Sequence, residues 1–117
     1  MNNHYSKIEP ALYVISTPIG NMQDISNRSL KMLSLSDYIL CEDTRITSKL
    51  LNFYSIKKKL ISFNVVNEKQ KIHKILEDLK NQKVISLVSD AGTPAISDPG
   101  SNLISKCYEL GVQVIPI

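Results

Sequence analysis

Short apolar runs alternate with segments of helical period along the whole chain, and that alternation leaves few folds open. Residues 11–15, 38–41, 60–63, 84–88 and 112–115 are runs of four or five mostly apolar residues, the length and character of strands covered on both faces. Between them lie helical stretches. Leu30 and Leu33 share one face of the first, which Asp24 or Ser26 can cap and which runs to about Ser36. Thr44 can cap the second, where Ile46, Leu50, Phe53 and Tyr54 fall at i, i+4, i+7 and i+8. In the third, Ile72, Ile75, Leu76 and Leu79 make the clearest apolar stripe. Asn67 with Gln70 resembles a capping box there, and Lys69, Lys71, Lys74, Glu77, Asp78 and Lys80 take the wet side. Leu103, Ile104, Cys107 and Leu110 mark the fourth, stopped by Gly111. Five strands joined by four helices predict an α/β fold: a five-stranded, mainly parallel sheet with helices on both faces and right-handed crossovers.

One connection is out of proportion. Residues 89–100 separate the fourth strand from the fourth helix, whereas connections of about 4–6 residues are usual. Gly92 and Gly100 let a ligand approach the backbone, Pro94 and Pro99 stiffen the segment, and Asp98 is placed to cap the helix that follows. In parallel sheets ligands bind beyond the carboxyl ends of the strands. That edge collects residues 17–21, 42–45, 64–68 and 89–100, while the opposite edge offers only plain turns.

Composition narrows the class. With 43% hydrophobic and 21% charged residues, the 117-residue chain has the balance of a soluble globule, and one α/β domain over residues 11–117 follows a polar tail at residues 1–10. No apolar run has the length of a membrane span, and the start lacks the apolar centre of a signal peptide, so a cytoplasmic protein is expected. Cys41 and Cys107 are too far apart for a metal knuckle and read as buried free thiols. A net charge of +3 permits a nucleic-acid partner without requiring one. Lys57, Lys58 and Lys59 form either a solvated turn or a phosphate-contacting patch.

Familiar catalytic signatures are missing. There is no Gly-x-Gly-x-x-Gly after the first strand, no Gly-Lys-Ser/Thr and no Gly-x-Ser-x-Gly, and His73 sits on the wet side of a helix. Carboxylates, one arginine, hydroxyls and backbone amides remain, a set suited to binding a charged small molecule without a metal.

Four motifs then agree. Leu12-Tyr13-Val14 with Thr17-Pro18-Ile19-Gly20-Asn21 and Asp24-Ile25 is the first, and Cys41-Glu42-Asp43-Thr44-Arg45 the second. Asn67-Glu68 is the third, and Val88-Ser89-Asp90-Ala91-Gly92-Thr93-Pro94 with Ile96-Ser97-Asp98-Pro99-Gly100 the fourth. In order and spacing they closely resemble the bacterial small-subunit rRNA 2′-O-ribose (cytidine) methyltransferases of the tetrapyrrole methylase superfamily. The resemblance implies S-adenosylmethionine as methyl donor, a ribose 2′-hydroxyl in small-subunit rRNA as acceptor, a homodimer, and no metal. It places Pro18, Gly20, Asn21, Ser89, Asp90, Ala91, Gly92, Thr93, Pro94 and Ile96 around the donor, and Arg45 and Glu68 on the acceptor side. The base that takes the ribose proton is one of Asp24, Glu42, Asp43 and Asp90, with the choice open. Two alternatives are a methylase of tetrapyrroles or other small molecules within the same superfamily, and a non-enzymatic RNA-binding module.

Two departures stand out. Where the family carries His-x-His-Asn-Glu, this chain has Asn64-Val65-Val66-Asn67-Glu68, so both imidazoles are replaced. Family members also continue beyond the fifth strand with a second α/β domain. The expectation is an N-terminal domain with half of the donor pocket and little activity by itself.

Overall fold

The computed structural model describes residues 8–17, 22–89 and 98–117. Among them the chain forms five strands, β1 (Leu12–Ser16), β2 (Tyr38–Cys41), β3 (Leu60–Ser62), β4 (Ile85–Ser89) and β5 (Val114–Pro116). Four α-helices connect them: α1 (Asn27–Leu35), α2 (Thr44–Phe53), α3 (Glu68–Lys80) and α4 (Asp98–Glu109). A short 3₁₀ turn, Met22–Asp24, precedes α1. All four strand pairings are parallel, in the order β3-β2-β4-β1-β5.

That order determines which face each helix covers. From β1 through β2 to β3 the chain moves one way across the sheet, and from β3 through β4 to β5 it moves back, so right-handed crossovers put the two helix pairs on opposite faces. The core divides accordingly. Leu12, Tyr38, Leu40, Ile85 and Leu87 pack with Ile72, Ile75, Leu76 and Leu79 of α3 and Leu103 and Cys107 of α4. Ile15, Ile39, Cys41 and Val88, alternate residues on the same strands, pack with Leu33 of α1 and Leu50 and Leu51 of α2. Both cysteines are buried free thiols, and burial pushes the Cys107 thiol up to about 11, which keeps it protonated and inert.

Local chemistry sets the helix ends, with some corrections to the expectations above. Ser26 caps α1, its Oγ accepting from the Ser29 N–H at 3.0 Å. The cap of α2 is Asp43 and not Thr44; a carboxylate one residue earlier accepts the Arg45 N–H at 2.9 Å. Ile46 and Phe53 are about half exposed, because the inner stripe of α2 is Thr47, Leu50 and Leu51. At α3, Asn67 occupies the cap position but makes no side-chain cap bond, since its Oδ1 accepts from Asn64 N–H instead. Helix α4 already includes Asp98 and so does not begin after it as a cap would require; the residues before it lie outside the described residues. Leu110 is about half exposed, and Gly111 ends the helix with φ +72°, a left-handed turn that favours glycine.

Asp78 is the largest departure from the periodic reading, which put it in water. It is 5% exposed, accepting from Tyr38 O–H at 2.7 Å and from Lys74 Nζ at 2.9 Å. Burial alone would raise its pKa, but these donors outweigh it and hold the carboxyl below the usual 3.8. The same carboxylate, together with burial, drives the Tyr38 hydroxyl upward. On the neighbouring strand, the Ser36 and Ser86 hydroxyls meet at 2.6 Å, both buried.

Two outcomes follow for stability. Because the Asp78 carboxyl is depressed on folding, its contribution is present above the unfolded carboxylate value and lost as pH falls through the folded one. Tyr38→Phe is expected to destabilise by roughly 1.5–3 kcal/mol near neutrality, the worth of a hydrogen bond to a charge. Urea melts at pH 7 and pH 2.5 should show the gap to the parent narrowing at the acid end. Thr47 Oγ1 is buried without a hydrogen-bond partner. Thr47→Val keeps shape and helix propensity while removing that hydroxyl, so it should raise stability by about 1 kcal/mol in the same assay.

Candidate functional site

The chain's reversal across the sheet falls between neighbours β1 and β4, whose outgoing helices leave on opposite faces. Such a point opens a crevice beyond the strand ends. Here the two ends are tied together: Thr17 N–H and Thr17 Oγ1 both donate to the Ser89 carbonyl, at 3.4 and 2.8 Å. The segments expected around the donor are direct continuations of these strands. Pro18, Gly20, Asn21, Asp90, Ala91, Gly92, Thr93, Pro94 and Ile96 lie outside the described residues, while Ser89 closes β4 at the crevice mouth.

The remaining strands deliver a polar rim on the same edge. After β2 come Glu42, exposed, and Asp43, which chelates Arg45 through Nε at 3.1 Å and NH2 at 3.0 Å. Hydrogen bonds from the Arg45 guanidinium and then from its backbone N–H hold the Asp43 carboxyl below the usual carboxylate range, and Arg45 is raised in return. Asp43 therefore serves as helix cap and guanidinium clamp at once, a carboxylate engaged on every side that faces its own helix.

After β3 the loop holds itself in place. Asn64 Oδ1 accepts the N–H groups of Val66 and Asn67 at 3.0 and 3.2 Å, and Asn67 Oδ1 accepts that of Asn64 at 2.9 Å. Asn67 Nδ2 and Lys71 Nζ both reach Ser62 Oγ, at 3.0 and 3.2 Å. Asn64 Nδ2 also donates to the Glu42 carbonyl at 3.4 Å, linking the β2 and β3 loops. Val65 and Val66 stand exposed at the tip. Glu68 accepts from Asn102 Nδ2, a bond that joins the first turn of α3 to α4 close to where the long β4–α4 connection ends.

The structure thus gathers Glu42, Asp43, Arg45 and Glu68 on one edge with Ser89, and places Asp24 in the exposed 3₁₀ turn leading into α1. Sequence reasoning placed Thr17 in a site motif without giving its side chain a role, and missed Ser62, Lys71 and Asn102. A hydroxyl directly after a strand and an Asn-x-x-Asn spacing were their only signals. Among the described residues no group of three or more His, Cys, Asp or Glu could hold a metal, and no helix is long and apolar enough to cross a membrane.

Comparison with known proteins agrees with this architecture. The family model described as Tetrapyrrole (Corrin/Porphyrin) Methylases matches residues 11–116. The chain is 53% identical over 103 residues to ribosomal RNA small subunit methyltransferase I of Thermotoga maritima, covering 88% of this chain and 46% of that protein. The Haemophilus influenzae protein of the same name is 47% identical over 106 residues, covering 91% and 38%. The chain thus spans less than half the length of these curated relatives. The crystal structure of a cobalamin biosynthetic enzyme, cobalt precorrin-4 methyltransferase, superposes with a TM-score of 0.72 at 18% identity over 100% of this chain and 47% of that one, a likeness of fold.

The double role of Asp43 can be separated by substitution. Asp43→Asn retains an oxygen to cap α2 but gives up the ion pair, whereas Asp43→Ala loses both. Amide exchange at Arg45, Ile46 and Thr47 should accelerate in Asp43→Ala and stay near the parent rate in Asp43→Asn, as followed by NMR.

Proposed function

The chain belongs to the tetrapyrrole (corrin/porphyrin) methylase family, and on that premise we propose that it contributes to methyl transfer from S-adenosylmethionine to a cytidine 2′-hydroxyl in small-subunit rRNA. The observation that carries this reading is the 45–53% identity to relatives named ribosomal RNA small subunit methyltransferase I, extending across both strand ends at the crevice. Identity of that order to rRNA enzymes favours an RNA acceptor over a tetrapyrrole. We further propose that the chain corresponds to the N-terminal domain of a two-domain, homodimeric, cytoplasmic enzyme. The donor pocket is then shared between the domains, and this domain alone turns over little substrate.

The crevice between β1 and β4 fits such a donor by topology, since both strands run into it side by side. Pro18, Gly20 and Asn21 would hold the donor from one side; Ser89, Asp90, Ala91, Gly92, Thr93, Pro94 and Ile96 would hold it from the other. When bound, the donor supplies an already activated methyl group on a sulfonium. The protein's part is then placement and proton removal. Holding the acceptor oxygen in line contributes up to roughly 7–11 kcal/mol in favourable cases. A carboxylate within hydrogen-bond reach of the ribose hydroxyl takes its proton. Asp43, engaged by Arg45, acts as a positioning residue in this reading, which leaves the base to Asp24, Glu42 or Asp90. Arg45, exposed at the rim, meets an acceptor phosphate, and Glu68 lies on the same side.

Calorimetric titration of S-adenosylmethionine into the chain tests the donor assignment. Binding at about millimolar or tighter, at least ~4 kcal/mol, is expected. It should be lost in Gly92→Val, where a side chain blocks close approach to the backbone. No binding in this chain, and none after fusion to the remainder of the Thermotoga maritima relative, would overturn the donor assignment. With the fused enzyme, radiolabel should pass to small ribosomal subunits and not to uroporphyrinogen.

A further inference from the structure

The chain's positive charge is concentrated in one place. Residues 44–67 contain five of the 14 lysines and arginines and none of the 11 acidic residues; elsewhere nine cations face eleven acids. The fold turns that stretch of sequence into a single surface. Arg45 and Lys49, four residues apart, form the outward line of α2, opposite the buried Thr47, Leu50 and Leu51. After α2 the chain turns through Ser55, at φ +56°, and Ile56 N–H is fixed to the Leu51 carbonyl at 2.9 Å. Lys57, Lys58 and Lys59 follow, all exposed, and the Lys59 carbonyl accepts Ile39 N–H at 2.9 Å, which pins the triplet to the sheet beside edge strand β3. A groove of about 370 Å³ lies between Ser48 and Asn52 of α2 and these three lysines.

We infer that this strip, running from Arg45 at the carboxyl edge to Lys57, Lys58 and Lys59 at the far end of α2, tracks the phosphate backbone of the RNA acceptor. The inference rests on the rRNA reading above and adds where, away from the reacting ribose, the RNA is held. Charge complementarity is the first argument. On α3 the lysines alternate with Glu68, Glu77 and Asp78, and Lys74 is paired to Asp78 at 2.9 Å, so that helix is locally neutralised. Glu42 and Asp43 bound the α2 strip at its carboxyl end, where Asp43 pairs with Arg45, and no acidic residue lies in the sequence between Thr44 and Asn67. Extent is the second argument. Ten residues of α2 span roughly 15 Å, so the cations are strung out along a line and do not converge on one point. A small anion held at the lysine triplet would leave Arg45 and Lys49 out of reach, whereas a polyanion engages both ends in succession. Side-chain character is the third. The groove is lined by Ser48, Asn52 and the three lysines together with Leu51, Ile56 and Leu60, so polar and cationic groups outnumber apolar ones along it, and the exposed Ile46 and Phe53 fall on the other flank of the Arg45–Lys49 line.

Filter binding of purified small-subunit rRNA to the chain provides the test. Lys57→Gln/Lys58→Gln/Lys59→Gln is compared with Lys31→Gln/Lys80→Gln/Lys106→Gln, which removes the same charge from other exposed positions. Lysine-to-glutamine changes at exposed sites leave the core intact, and thermal melts confirm equal folding. The first variant should weaken binding by about tenfold near ~0.1 M salt and reduce the slope of log K against log salt by about 2, since each phosphate contact contributes about 0.7–0.9. The control variant should lose less than about threefold. Equal losses in the two variants would overturn the strip, because net charge alone would then explain binding. Loss of affinity for phosphatidylserine vesicles with rRNA binding unchanged would also overturn it, in favour of a membrane surface. S-adenosylmethionine titration of the same variants reports separately on the methyl-transfer reading and should be unaffected.

Discussion

Everything at the candidate site hangs on the parallel ladder between β1 and β4. Its five residue pairs run from Leu12 opposite Ile85 to Ser16 opposite Ser89, and the Thr17 hydroxyl extends it by one more bond across 72 residues of sequence. This pairing joins the two halves of the chain: β2 and β3 lie on one side of it and β5 on the other. It is also where the direction of travel reverses, so the same hydrogen bonds that close the sheet hold open the crevice at its carboxyl edge. Such a non-local pairing forms only after a long loop closes, which makes it the slow step expected of a parallel sheet. Once formed, both segments read as donor-binding arise from adjacent, fixed points.

The two edges of the sheet divide the polar chemistry. At the amino edge, polar groups satisfy one another: buried Tyr38 with Asp78, buried Ser36 with Ser86, and Oδ2 of the exposed Asp37 accepting Val84 N–H at 2.7 Å. These bonds fix the entry points of β2 and β4. At the carboxyl edge, polar side chains instead shape loops, as with the reciprocal Asn64 and Asn67 bonds, and keep Glu42, Arg45 and Glu68 near solvent. A rigid far side lets the near side carry long connections without loss of register.

How much of this was legible in the sequence depends on range. Strand positions, the stripe of α3, the Ser26 cap and the Gly111 stop are local effects, and each was readable from spacing and residue type. The sheet order was not, because five short, mostly apolar strands look alike from either neighbour's side. Asp78 was misplaced for a related reason. Helical periodicity treats a carboxylate as solvent-seeking, and only the fold reveals that Tyr38, forty residues away, supplies the donor that allows its burial. Ile46 and Phe53 erred in the opposite sense: an apolar spacing of seven was taken as the inner face, while Thr47 and Leu51 occupy it. Asp43 displaced Thr44 as cap because a carboxylate both accepts N–H groups and meets the helix dipole more strongly than a hydroxyl. Family resemblance singled out the candidate site motifs, but their mutual placement across β1, β2, β3 and β4 came only from the topology.

The replacement of both family histidines also takes on a physical meaning in this frame. Imidazole in the loop after β3 would offer a titrating group near neutrality. In its place Asn64 spends its amide on the loop itself and on the Glu42 carbonyl, and Val65 and Val66 project without polar atoms. The loop acts here as a brace between β2 and β3. In the proposed reaction, proton removal on the acceptor side then falls to carboxylates. Asp43 is held ionised and accepts three hydrogen bonds from Arg45, which in the proposed reading makes it the residue that orients the guanidinium. Charge around α2 is therefore arranged in two parts: an acid and base locked together at its head, and, from Lys49 to Lys59, a stretch of sequence that carries cations and no acid. The first part fixes orientation where the chemistry is read to occur, and the second supplies attraction that needs no orientation, as binding a long, uniformly charged chain requires.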